Sequence, residues 1–115
     1  MSKEAAVSRK NLFTAHLGTG KRIVQVDSKE VTMGPGVPAP LHVHPCEVVG
    51  VVTQGNIAYQ VEGQLVRHLS AGDAFHEPAG VRIARFDSEG DTPAHFVAFY
   101  LLESKSQELT TLVAE

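Results

Sequence analysis

Apolar and polar positions alternate along much of this chain in short runs, and nearly every run is closed by Gly, Pro or Asp. A period of two sends successive side chains to opposite faces of an extended strand, so the pattern predicts half-buried β-strands rather than helices. The runs fall at residues 21–26, 30–33, 41–44, 47–53, 56–61, 64–69, 73–77, 82–87 and 94–102. Only residues 3–11 have any helical character, a turn or so, and the same residues suit a frayed tail. Gln54-Gly55 and Glu62-Gly63 supply residues tolerant of positive φ, as hairpin turns require. Gly34-Pro35-Gly36 and Pro78-Ala79-Gly80 mark corners. Strands this short and numerous must hide their edges, either by closing into a barrel or by pairing two sheets as in a jelly roll. The expected fold is therefore all-β, a small antiparallel β-barrel. A single domain is expected over residues 12–113, with residues 1–11 as a flexible tail.

Composition narrows the classes without changing that picture. The chain has 115 residues, 43% of them apolar and 20% charged, which suits one soluble domain with a single core. A formal net charge of -3 provides no basic field, so nucleic acid is not an expected partner. No run approaches the length of a membrane span, and the charges scattered through residues 1–14 leave no signal-peptide core. A cytoplasmic location is expected, and the lone Cys46, which cannot form an intrachain disulfide, fits a reducing compartment.

The chemistry concentrates in two stretches. In LHVHPCEV, residues 41–48, His42 and His44 are one residue apart and so share one strand face. Gly36 precedes His42 by five intervening residues, and Gly55 closes the strand. In AGDAFHEPAG, residues 71–80, Gly72 is followed after five residues by Pro78 and Gly80. Together these resemble the two motifs of a small single-domain cupin, with a likeness running from about Leu12 to Val113 that takes in the VEGQ turn and the PAHFVAFYLL strand. The resemblance implies a double-stranded β-helix, or jelly roll. It also implies a barrel interior in which two His, one Glu and a further His bind a divalent ion, commonly Mn, Fe, Ni or Zn. A homodimer is implied as well, in which an N-terminal strand such as residues 21–26 pairs with the partner's sheet.

Two of the four implied ligand positions depart from the motif. The Glu position falls on Val48, with a carboxylate one residue early at Glu47, and the second-motif His position falls on Ile83. By parity Val48 shares the face of His42 and His44, whereas Glu47 points away unless Pro45-Cys46 resets the register. Alternation in GDAFHEP groups Asp73, Phe75 and Glu77 on one face and Ala74 and His76 on the other. Two acids make the first face the expected wet one, which would turn His76 into the barrel as a candidate third ligand. The metal candidates are thus His42, His44, His76 and Glu47.

Arg85 follows Ile83 by two and would share its face, where a guanidinium can clamp a substrate carboxylate; a register shift would instead bring Phe86 inward and leave Arg85 in solvent. Tyr59, Val48 and Ile83 complete the expected substrate pocket. No GxSxG, phosphate loop, HExxH or CxxC occurs, and no residue is singled out as catalytic. Two functions stay open. One is a metal-dependent dioxygenase, isomerase or lyase acting on a small carbonyl- or oxygen-rich molecule. The other is a non-enzymatic ligand-binding or sensory barrel whose metal site has been lost.

Overall fold

The computed structural model describes residues 6–113. Its strands are β1 (Gln25–Met33), β2 (His42–Val43), β3 (Glu47–Gln54), β4 (Asn56–Val61), β5 (Arg67–Ser70), β6 (Ala74–Glu77), β7 (Ile83–Glu89), β8 (Ala94–Leu102) and β9 (Thr111–Leu112). No helix forms among the described residues, and residues 6–11 are exposed and without regular structure. The rest of the expected helical turn, residues 3–5, lies outside the described residues.

The strands form two antiparallel sheets, ordered β1-β8-β3-β6 and β5-β4-β7-β2-β9, which face each other across one core. Alternation along β8 sends Ala94, Phe96, Ala98, Tyr100 and Leu102 inward. Across the core Phe75, Phe86 and Phe96 pack edge-on as a triangle with ring centroids 5.0–5.7 Å apart, an arrangement that aromatic quadrupoles favour. Val48, Val52, Ile57 and Ile83 fill the space around them and are fully enclosed.

The predicted strands at 56–61 and 94–102 keep their bounds, five others shift at their ends by one to three residues, and the larger differences have identifiable causes. The runs at 21–26 and 30–33 join into the single strand β1, because Asp27, Ser28 and Lys29 are an edge segment paired only with β8, where polar residues protect the edge. Gln25 and Val26 pair with Leu102 and Leu101 of the same chain. Gln54-Gly55 is not a hairpin turn. The strands it joins, β3 and β4, belong to different sheets, and Gly55, at φ 82°, turns the corner between them. Glu62-Gly63 does lie in a hairpin, between the paired strands β4 and β5. The two-residue β9, beside β2, has too little alternation to be read from the sequence.

Gly50 is where the fold leaves no room for a side chain. It sits opposite Phe75 on β6 and Ala98 on β8, and a Cβ there would lie 2.4 Å from the Val97 carbonyl oxygen and 2.5 Å from the Phe75 ring. Relief would require moving β8 or expelling the ring from the aromatic triangle. Overpacking of this kind costs about 1–3 kcal/mol. Gly50→Ala is expected to lower Tm by at least about 5 °C in thermal unfolding followed by circular dichroism.

Candidate metal centre

The candidate centre is assembled from two strands of opposite sheets. His42 is in β2, paired with Ile83 of β7 and Leu112 of β9, and His44 follows in the turn toward β3. The third member comes from β6. Residues directly opposite in an antiparallel ladder share a face, and Glu77 is opposite Val48, which is buried in the core. Glu77 is therefore turned inward and is only 3% exposed. Its carboxylate reaches the space that a carboxylate at position 48 would occupy, approached from the neighbouring strand.

Both imidazoles are held by the backbone on the side away from Glu77. His42 Nδ1 is 3.0 Å from the Pro40 carbonyl, and His44 Nδ1 is 2.7 Å from the Leu109 carbonyl and 3.2 Å from Thr110 Oγ1. A carbonyl can only accept, so each Nδ1 carries the proton and donates it. Each Nε2 then faces Glu77 Oε2, at 3.4 Å from His42 and 3.1 Å from His44. The two rings meet edge to face with centroids 4.9 Å apart. Two neutral Nε2 lone pairs aimed at one carboxylate oxygen would repel it, so the geometry demands positive charge between them, carried by protons or by a metal ion.

Burial pulls the His42 imidazole down, but the hydrogen bonds to Glu77 and Pro40 and the carboxylate's charge outweigh it and hold the ring above its ordinary pKa. Burial pushes the Glu77 carboxyl up, and the two histidines more than reverse this, leaving it below the usual carboxylate range. The donor set also suits a metal. The ligand atoms of His42, His44 and Glu77 all lie within 4.8 Å of one another, and both histidines have the backbone hydrogen bonds that orient metal-bound imidazoles. Beside them opens a cavity of about 250 Å³, walled mainly by Met33, Phe86, Phe96, Tyr100 and Leu112.

The other expected site residues are placed elsewhere. His76 and Glu47 do not join His42 and His44; they meet each other on the outer face of the β1-β8-β3-β6 sheet, with His76 Nε2 2.5 Å from Glu47 Oε1. For Glu47 this is the orientation that strand parity predicted. For β6 the expected faces are reversed: Phe75 and Glu77 point inward and His76 outward, because β6 is an edge strand in register with Val48 and Gly50. Phe75 on the Glu77 face was the signal available in the sequence, since a large aromatic outweighs two acids in choosing the buried side.

Arg85 is also turned away from the cavity. It pairs with Gln60 while Ile83 pairs with Val61, so Ala84 is the extra residue of a bulge that breaks the two-residue alternation. Ile83 and Phe86 both face inward as a result, and Arg85, its side chain 43% exposed, bonds Asp87 at 2.9 Å instead of clamping a substrate. Val48 and Ile83 are part of the packed core rather than cavity walls. Tyr59 lines a different cavity, together with His76. Cys46 is buried apart from the three donors, and burial pushes its thiol up.

No curated protein matches the chain. Among solved structures it is similar to a cupin-like protein from Thermotoga maritima, with a TM-score of 0.67 and 22% identity over 76% of this chain and 64% of that one. It is also similar to a DMSP lyase from Ruegeria pomeroyi, with a TM-score of 0.66 and 23% identity over 76% of this chain and 43% of that one. An oxalate oxidase in complex with glycolate gives a TM-score of 0.63 and 25% identity over 76% of this chain and 46% of that one. The chain thus spans less than two thirds of the length of each. The family model of the cupin domain matches residues 29–100. With the two facing sheets and the paired histidines in place, the chain belongs to the cupin family.

Proposed function

We propose that this cupin holds a divalent metal ion between His42, His44 and Glu77, and that it binds or acts on a small oxygen-bearing molecule in the adjoining cavity. The observation that carries this reading is the convergence of both Nε2 atoms on one carboxylate oxygen while both Nδ1 atoms are spent on backbone carbonyls. Two imidazoles and a carboxylate suit Mn, Fe, Ni or Zn better than the all-oxygen sites of Ca or Mg. Three protein donors leave coordination positions open toward the cavity, and a bound ion there would polarise a carbonyl or hydroxyl oxygen as a Lewis acid. The chain's own residues fix the imidazole orientations through Pro40 and Leu109 and line the adjoining cavity mainly with apolar side chains.

The similarity to an oxalate oxidase seen with glycolate, and to a DMSP lyase, supports a small oxygen-bearing ligand. Among the described residues no Lys or Arg lines the cavity, which favours a ligand with an apolar body. That feature equally supports a non-enzymatic binding role for the same cavity. No helix among the described residues is long and apolar enough to cross a membrane. A cytoplasmic setting agrees with the buried, unpaired Cys46.

A homodimer is part of the proposal. Val26, Phe99, Val49 and Val51 give the outer face of the β1-β8-β3-β6 sheet an apolar character, and Val26 and Phe99 are exposed. The radius of gyration is 15.7 Å, above the roughly 13 Å expected of a compact chain this long, and residues 6–24 have no regular structure. Light scattering on the eluting chain is expected to give twice its 12.3 kDa mass, and Phe99→Asp is expected to shift it toward the monomer.

Elemental analysis of protein prepared without a metal-affinity tag is expected to find close to one ion per chain. Losing a residue that only orients a ligand costs about 10–100-fold in metal affinity, so His44→Ala or Glu77→Val should cost at least about a hundredfold. Because Val48 and Glu77 are opposite on one face, the double variant Val48→Glu/Glu77→Val is expected to recover much of the affinity that Glu77→Val loses. Failure to retain any of the four metals after dialysis would overturn the metal reading and leave the ligand-binding role.

A further inference from the structure

The outward face of β6 carries a polar cluster for which the metal centre has no use. Glu47 is buried, yet its carboxylate accepts three hydrogen bonds: from Lys21 Nζ at 3.0 Å, from the Ala79 N–H at 3.1 Å and from His76 Nε2 at 2.5 Å. Its negative charge is matched by Lys21, so nothing in this pair needs a further cation. The His76 ring is pinned from behind by Glu47, and its backbone is pinned in front, where the Tyr59 hydroxyl donates to the His76 carbonyl at 2.6 Å. With Nε2 committed to Glu47, Nδ1 is the ring atom without a hydrogen-bond partner among the described residues.

His76 lines a cavity of about 260 Å³ at the seam between the two sheets, separate from the one beside His42 and His44. Tyr59, Arg67 and Gln64 contribute polar groups to it, and Phe13 and Val81 supply apolar walls. The Arg67 guanidinium lies 5.9 Å from the Tyr59 ring centroid, as a cation over an aromatic face. It forms no salt bridge among the described residues. Since Lys21 already offsets Glu47, the Arg67 charge is the uncompensated one at this cavity.

A pinned imidazole nitrogen, an unpaired guanidinium and an apolar wall around one small volume select a definite kind of ligand. We infer that this seam cavity is a second binding site, for a small hydroxy acid: Arg67 takes its carboxylate, His76 Nδ1 takes its hydroxyl, and Phe13 and Val81 cover its carbon body. A guanidinium fork matches a carboxylate with two parallel N–H donors. The Glu47 hydrogen bond holds the ring that lines the cavity, so binding at Nδ1 would not carry the entropic cost of ordering it. His76 and Glu77 are consecutive on β6 and face opposite ways, so the seam site and the metal centre are separated by the thickness of one sheet and are expected to act independently of each other.

The test is a titration of the full metal-free chain, labelled for NMR, with glycolate, 3-hydroxybutyrate and 4-hydroxybenzoate in turn. At least one is expected to give saturable shifts at the His76 ring and at the Tyr59 and Val81 amides. Arg67 is exposed, so Arg67→Gln should fold normally, and it is expected to weaken binding by about tenfold or more, the value of a charge-assisted hydrogen bond. His42→Ala should leave the affinity unchanged. The amide of the best-binding acid, which has lost the charge, should bind no better to the wild-type chain than the acid binds to Arg67→Gln. No saturable shifts from any of the three up to 10 mM (~10 mM being weaker than any useful site), shifts that survive Arg67→Gln undiminished, or shifts confined to the His42 cavity would each overturn the inference.

Discussion

Two imidazole nitrogens aimed at one buried carboxylate oxygen are the constraint around which the open end of this barrel is arranged. His42 and His44 cannot rotate to relieve the crowding, because each has its other nitrogen bonded to a backbone carbonyl. Those carbonyls come from either side of the site: Pro40 from the segment before β2, and Leu109 from the segment that leads into β9. The C-terminal segment is fastened to the histidine strand at further points, where the Val113 N–H donates to the Leu41 carbonyl at 3.0 Å and Gln107 donates to the Pro45 carbonyl at 2.9 Å. A β2 of two residues would be a poor platform alone; its neighbours make it rigid enough to hold a fixed geometry.

The same constraint sets the balance between stability and chemistry. A buried carboxylate between two buried rings is costly unless cations attend it, and the cost of leaving one member alone exceeds the gain from the pair. The site is therefore suited to a positive species between the three side chains, and under the proposed function that species is a divalent ion. Either way the cavity beside it keeps its apolar walls, so whatever enters meets an electrostatic centre at one end and hydrocarbon elsewhere. Under the proposed function such a cavity would orient a ligand by its oxygen atoms and tolerate variation in its body.

Most of the fold was legible because its cause is local. The apolar runs at 56–61 and 94–102 are bounded by Gly55, Glu62-Gly63 and Pro93, and β4 and β8 have those bounds. Gly-containing corners were readable because positive φ leaves few other choices of residue. What could not be read was non-local. The bulge at Ala84, which turns Arg85 out and Phe86 in, is the register shift that the sequence leaves open as an alternative; it arises where β7 meets β4, so residues 82–87 alone do not decide it. The inward face of β6 is not locally readable either, because Asp73 and Glu77 read as solvated acids, whereas Glu77 meets two histidines from β2 and the turn that follows it. His42 and His44 were visible as a pair from their spacing, but their partner could be found only through the ladder that places Glu77 beside Val48.

That ladder explains how a carboxylate missing from its place in the sequence can still stand beside His42 and His44 in space. A ligand position in a barrel is defined by its level and by the face it occupies, not by the strand that supplies it. Directly opposite residues on an antiparallel pair have Cβ atoms about 4.5–5.5 Å apart, a gap that a glutamate side chain can span. A carboxylate lost at position 48 of β3 is thus replaceable from position 77 of β6 with only a change in the direction of approach. The exchange leaves Val48 to pack in the core and frees Glu47 and His76, outside, to form a separate pair with Lys21. Strand β6 then carries chemistry on both of its faces, and an edge strand can do so because its outer side is covered by loops rather than by another sheet.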